Sequence, residues 1–334
     1  MGIKTLRRLQ MGAESTAGTA VDATSIWRGT GVLVDRRELV YPEEDSGIVG
    51  GVGRSYIPYH ESGIKLDATP VTFEQLPYLL EMGCMTATPS DDGAGSGKIR
   101  VYNFPTSAAG GTLKTYTFEA GDDQQEEEVE YCFCTDFTIS GSPREACMME
   151  ANLVGRQTTK STFTGSLTAP TVYEALYGKT ALKYDAIDGT MGSTAKAATM
   201  LGFKLNVKTG WNPFYGDGND YFAAPVFTGQ EISCDLALRY NDIGEAIEDA
   251  MIAQTPLLWR IAITGAALTT PGTTYTYRTI YIDFAGKVRA KPQLEDEDGL
   301  DIINVTIDAH YYSAAASWLK MCEITVVNDL AALP

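Results

Sequence analysis

Histidine is almost missing from this 334-residue chain: His60 and His310 are the only two. A Ser-His-Asp or Cys-His catalytic site would have to use one of them. His60 sits in a strand pattern, His310 ends one, and no G-x-S-x-G elbow stands beside either. Both read as structural or surface residues. Zinc ligation fails for the same reason, because C-x-x-C and histidine spacings are both absent. Six cysteines are present: Cys84, Cys132, Cys134, Cys147, Cys234 and Cys322. Cys132 and Cys134, two apart on a strand pattern, point the same way and are poorly placed to bond each other. The cysteines read as reduced, mostly buried apolar residues, which fits folding in a cytoplasm.

Positive charge is also scarce. Lys and Arg number 26 against 43 Asp and Glu, for a net charge of −17. The deficit is even, −9 over residues 1–167 and −8 over residues 168–334. With no basic tail or patch, tight gripping of phosphates is excluded, as is base stacking between cationic clusters. Two readings of the acidity stay open: an ordinary soluble surface, or one that must repel polyanions. No stretch reaches the roughly 18 apolar residues of a membrane span. Met1–Gln10 is basic but lacks the apolar core of a signal peptide.

Apparent ligand motifs dissolve on inspection. Gly93–Lys98 (GAGSGK) has Asp92 where a phosphate loop needs glycine, Ile99 where it needs Ser or Thr, and no preceding strand. Gly47–Gly53 (GIVGGVG) is not G-x-G-x-x-G and opens no helix. Both read as flexible loops. Asp217, Asn219 and Asp220, and the run Glu295–Asp298, miss the EF-hand spacing and read as solvated acidic loops. A carboxylate pair for glycoside chemistry is conceivable in an acidic β protein, but nothing selects one. The expectation is no catalytic residue, no metal and no cofactor.

What the chain does have is β-forming material: 44% hydrophobic residues, 18 Tyr and 33 Gly. The most legible stretch is Gly63–Gly83 (GIKLDATPVTFEQLPYLLEMG). Ile64, Leu66 and Ala68 alternate with Lys65, Asp67 and Thr69, the period of a half-buried strand. Phe73, Leu76, Leu79 and Leu80 then share one face of a short helix. Pro77 is tolerable only near its first turn, and Gly83 is a natural stop. Before this lie a small, polar arm (residues 1–27), a strand at Arg28–Tyr41 and a loop at Pro42–Tyr56. The arm has little to bury and is expected to order only when something covers it. After it come an acidic connection at Gly121–Glu130 and strands at Tyr116–Ala120, Tyr131–Ser140 and Ala146–Gly155.

The same order recurs about 168–170 residues later. Gly202–Thr209 alternates, Gly210–Ala224 is a second long Gly- and aromatic-rich loop, and Gln230–Leu238 alternates again. Asn241 or Asp242 caps a helix running to Gln254. Strands follow at Trp259–Thr264, Tyr275–Phe284 and Asp301–Tyr311. Cys322–Asn328 is one more strand, without a counterpart in the first half. The domain reading is an arm (1–27), a first β domain (28–157), a connection (158–195) with a short helical turn at Val172–Tyr177, and a second β domain (196–334).

Glu14–Ile26 (ESTAGTAVDATSI), the strand Val32–Tyr41 and the segment ATPVTFEQLPYLLEMG resemble the N-terminal half of tail tube proteins of long, flexible-tailed phages. The likeness covers about residues 10–155; the second half shares element order alone. The resemblance implies a mainly β fold: two tandem tail-tube-like β-sandwich or half-barrel domains, each with one flanking α-helix. It implies a structural subunit, not an enzyme, that polymerises into stacked rings around a lumen. Its partners would be further copies of itself, the tape measure protein and passing DNA, with no membrane. The localisation implied is the virion tail, after synthesis in the host cytoplasm. Two tube domains imply a trimeric, pseudo-hexameric ring; a single one would imply a hexamer. Strand alternation then offers Lys65, Asp67, Glu231 and Asp235, with Asp35 and Lys204, as lumen-facing residues. Glu43, Glu44, Asp45, Arg54, Trp211, Phe214, Tyr215 and Asp217 become candidates for loops that bridge rings. The rival reading is a tandem β-sandwich binding module of a tail tip or fibre that attaches to a host surface.

Overall fold

The structure is a computed structural model and describes residues 4–51, 53–107, 111–297, 299–315 and 318–333. Val52 of the glycine-rich loop and Asp298 of the acidic run lie outside the described residues. The chain is mainly β. In the first half the strands are β1 (Arg8–Ala13), β2 (Ser25–Ile26), β3 (Gly31–Asp35), β4 (Ser62–Pro70), β5 (Ser90–Asp91), β6 (Lys98–Asn103), β7 (Tyr116–Gly121), β8 (Glu126–Gly141), β9 (Met148–Gly155) and β10 (Thr158–Lys160). The second half holds β11 (Thr180–Ala186), β12 (Met200–Lys208), β13 (Trp211–Phe214), β14 (Ala224–Phe227), β15 (Glu231–Arg239), β16 (Leu257–Ala267), β17 (Tyr277–Val288), β18 (Leu294–Glu297), β19 (Leu300–Ala309) and β20 (Cys322–Asn328). Helices α1 (Leu76–Gly83) and α2 (Asp242–Ile252) follow β4 and β15.

Each half is built on one long strand that serves two sheets. The first part of β8 pairs with β7 on one side and β10 on the other, and β7 passes on to β1. Its second part pairs with β9, then β4, then β3. In the second half, β17 lies between β16 and β20, and β16 passes on to β11. The end of β17 pairs with β19, then β15, then β12. Pairing for pairing, β1, β3, β4, β7, β8, β9 and β10 correspond to β11, β12, β15, β16, β17, β19 and β20. β18 resumes, along β19, the line that β17 leaves. The counterpart of the C-terminal strand is therefore β10, three residues long and too short to read from sequence.

The halves are not separate beads. β12 pairs antiparallel with the free side of β8, Lys208 opposite Asp136 through to Phe203 opposite Gly141. One sheet thus runs β3-β4-β9-β8-β12-β15-β19 across both halves, and one apolar cluster lies behind it. Two expected boundaries change as a result. Residues 1–27 are no uncovered arm: β1 pairs with β7, and Leu9, Met11, Ala23 and Trp27 are buried. Residues 158–195 are no mere connection, because they hold β10 and β11; Glu174 and Leu176 form isolated bridges where a helical turn was expected.

Local chemistry explains most elements. Along β4, Ile64 and Leu66 are buried and Lys65 is exposed, as alternation requires. A register shift between Leu66 and Thr69 then reverses the faces, so Thr69 turns inward and Ala68 outward. Pro77 sits in the first turn of α1, where its missing N–H costs nothing. The helix is buried on nearly every side rather than flanking the sheet. A Cβ on Gly83 would come within 3.3 Å of Cys134 on β8 and 3.0 Å of Thr209 just past β12. The residues leading into it bond the second half: Asn328 donates to the Phe73 carbonyl at 2.7 Å, and Arg278 pairs with Glu74. By contrast α2 is amphipathic, burying Gly244 and Ile247, with the Asn241 side chain accepting from the Ile243 and Gly244 N–H groups.

Candidate assembly surfaces

The outer face of the shared sheet is largely polar from β4 to β19, while β3 at its end adds the exposed Val32 and Val34. Lys65 and Asp67 on β4, Lys204 on β12, and Glu231 and Asp235 on β15 all point to it, beside Asp136 on β8 and Asp308 on β19. Cross-strand pairs knit it together. Lys208 pairs with Glu231 at 2.7 Å, Asn206 donates to Asp235 at 2.9 Å, Thr306 donates to Asp235 at 2.6 Å, and Asn152 donates to Asp136 at 2.7 Å. Arg289 holds the Asp308 carboxyl below the usual carboxylate range. Asp35 is the exception among the six expected residues. It stands opposite Ser62, in step with the inward Leu33–Ile64 pair, and its carboxylate turns to Arg37. One residue of parity moved it off the face.

Both ends of this sheet are open among the described residues. β3 pairs with β4 alone, and β18 pairs with β19 alone. These ends match the internal joint. β3 corresponds to β12 so closely that the Arg36–Glu61 ion pair occupies the place of Lys208–Glu231. The β17–β18 line corresponds to β8.

The two long loops, equivalent in the repeat, differ in state. Residues 36–61 project from β3 and β4, tied by a Val40–Tyr56 bridge and an Arg54–Glu44 ion pair at 2.7 Å. Glu43, Glu44, Asp45 and Arg54 are all exposed on it, as are the apolar Leu39, Tyr41, Ile48, Val49 and Tyr56. The second loop is a folded hairpin, β13 with β14, laid on the first half. Trp211 and Phe222 are buried against Tyr131, Phe133 and Val154. Arg156 stacks over Tyr221 at 4.8 Å, and the His60 N–H donates to the Asp220 carbonyl at 2.6 Å. Trp211 is therefore committed within its own chain, and Tyr215, though partly exposed, donates to Glu61 and packs edge-on against Tyr59, whereas Phe214 and Asp217 stay exposed at the tip.

The E-x-x-x-G stretch of the N-terminal segment has a definite job. The buried Glu14 carboxylate accepts from the Gly18 N–H (2.7 Å), the Tyr131 N–H (2.6 Å), Thr115 (2.7 Å) and Thr117 (3.0 Å). Gly18 has φ +76°, and a Cβ there would lie 2.9 Å from Tyr131 and Arg156. Glu14 thereby locks the N-terminal segment to β7 and β8. A second buried acid, Glu119, accepts from Gln10 (2.6 Å), the Thr164 N–H (2.7 Å) and the Ala23 N–H (3.2 Å). Neither acid was singled out from sequence; the spacing of Glu14 to Gly18 was the available signal.

Gly93–Lys98 is likewise more ordered than a flexible loop. Asp92 just before it accepts from the N–H groups of Thr274 and Tyr275, clasping the 270–275 turn. Burial pushes up the carboxyls of Glu74 and Glu81, the latter accepting from the Tyr116 hydroxyl at 3.2 Å. All six cysteines are free and buried, which also raises their thiol pKa values. Two grooves open at the far end of the sheet. One of about 700 Å³ is lined by Pro105, Gly229, Gln230, Tyr311, Leu319 and Met321. The other, of about 420 Å³, shares Gln230 and Met321 and adds Arg289, Asp308 and His310. Among the described residues no three His, Cys, Asp or Glu side chains cluster to hold a metal ion, and no helix is long and apolar enough to cross a membrane. No family model matches the chain, and no curated protein matches it either.

Proposed function

We propose that this chain is the structural subunit of a phage tail tube, polymerising into stacked rings around a lumen through which DNA passes. The observation that carries the reading is the β8–β12 joint together with the two open edges that repeat it. An unpaired strand edge is a template for another chain. Because the β3 edge and the β17–β18 edge are different surfaces, pairing between copies is head-to-tail and closes into a ring when the rotation allows. Three copies, each carrying two quasi-equivalent halves, give a pseudo-sixfold barrel.

Such a ring turns the polar sheet face into one continuous wall. Lys65, Asp67, Lys204, Glu231 and Asp235 then line the lumen, and the net charge of −17 keeps a polyanion from adhering as it slides. The tape measure protein and DNA are the lumen's occupants in this reading. The role is scaffolding rather than catalysis, carried out in the virion tail.

Electron microscopy of the purified protein tests this. Hollow tubes or threefold rings are expected. Backbone alternation sends the Asp35 N–H outward from β3, because the Arg36 N–H bonds to Glu61. Asp35→Pro should therefore leave a folded monomer that forms no rings. A wild-type protein that stays monomeric at high concentration and binds a surface glycan would overturn the reading in favour of a binding module.

A further inference from the structure

The internal joint shows where a long loop goes when its strand pairs with a neighbour. The hairpin that follows β12 lies on the half that contributes β8. It covers Tyr131 and Phe133 and rests on Tyr59–Glu61 at the base of the other loop. The repeat carries this seat onto the second half. The base of the first loop maps to Gly229 and Gln230, Phe133 maps to Lys287, and the β9 end at Val154–Arg156 maps to Asp308–His310. These are the residues between and around the two grooves. The seat is filled in the first half and open in the second.

We infer that loop 36–61 of one copy occupies this open seat on the second half of the adjacent copy in the same ring. The inference rests on the ring reading, since only β3-to-β17–β18 pairing brings that loop alongside that half. Three further observations favour this occupant. The loop exposes Leu39, Tyr41, Ile48, Val49 and Tyr56 among the described residues, and the groove exposes Tyr311 and Leu319. Glu43 and Asp45 on the loop are opposite in sign to Lys287 beside the seat, while Glu44 and Arg289 are already paired with Arg54 and Asp308 in their own chain. Loop and seated hairpin are also similar in length, leaving and re-entering the sheet at equivalent ion pairs, Arg36–Glu61 and Lys208–Glu231. The loop would thus be a lateral clamp between neighbours in one ring, rather than a bridge to the next ring.

Cysteine cross-linking between copies tests it, with the six native thiols buried. Ile48→Cys and Leu319→Cys, made in separate chains and mixed, form the loop pair. The control pair reports the edge itself: Lys204 opposite Ser140 in the internal joint maps to Val32 opposite Glu295 between copies. Val32→Cys and Glu295→Cys are mixed in the same way, and each variant is first shown to melt like the parent. Linkage of both pairs in isolated, unstacked rings is the expected result. Linkage of the control pair without the loop pair overturns the clamp and leaves the ring reading standing. A loop pair that links only in stacked tubes overturns it too, placing the loop between rings. Failure of both pairs removes the ring reading and the clamp together.

Discussion

Helix α1 and helix α2 hold the same place in the repeat yet carry opposite loads. The first is buried between the two halves; the second lies on the surface and buries Gly244 and Ile247. The long loops divide the other way: the first is exposed, and the second is packed down. Because the halves pair along β8 and β12, the elements near that joint are interior and the elements away from it are free. Position relative to the joint, not position in the repeat, sets what each element contributes.

The largest expected effect separates the helices. Leu79→Ala leaves a cavity in the main apolar cluster, where Leu79 is fully buried, and should cost about 3 kcal/mol in denaturant unfolding. Ile252→Ala, at an exposed position of α2, should stay within about 0.5 kcal/mol. Equal losses would mean that α1 is not the shared core element. Next comes the seated hairpin. Trp211→Ala should cost about 2 kcal/mol and expose residues 212–223 to proteolysis, bringing that loop closer to the state of loop 36–61. Hairpin protection equal to the parent's would break the contrast between the loops. A smaller loss, about 1 kcal/mol, is expected from Asn241→Ala, because α2 relies on its cap for two N–H groups whereas α1 has no side-chain cap.

The smallest effect is a pH slope. Burial raises Glu81 on α1, so between its raised value and the ordinary carboxylate range the folded chain holds a proton that the unfolded chain has released. Stability from this group therefore grows as pH falls from neutral through that window and levels off below it. Glu81→Gln should flatten the slope in melts across pH 4.5–7.5, leaving the contributions of Glu74, Glu128 and Asp283, which burial also raises. An unchanged slope would show that Glu81 is not penalised by its site.

Alternation made the strands legible wherever one face is buried and one is wet: Ile64 and Leu66 against Lys65, or Ile232, Cys234 and Leu236 against Glu231 and Asp235. That was enough to find the repeat and to place five residues on one exposed face. It failed where local pattern carries no such contrast. β1 is covered on both sides, so its run from Leu9 to Gly12 shows no period. β10 has only three residues and draws its identity from β8. Asp35 and Ala68 went to the wrong faces because a strand-end parity and a bulge are settled by partner strands. The buried role of Glu14 was not legible because three of its four donors arrive from residues 101 to 117 positions away. Pairing between β8 and β12, the feature that organises the molecule, is a contact between strands more than 60 residues apart and leaves no local trace.

That pairing also bears on how quickly copies find one another. An interface held within a single chain has an effective concentration fixed by its tether, so it forms without the translational and rotational cost of a bimolecular encounter. In the proposed ring, every second junction is of this kind and is already made when the subunit folds. A ring of three such subunits then needs two bimolecular encounters and one closure where six separate single-domain subunits would need five encounters and one closure, so rings should begin to form at lower subunit concentration.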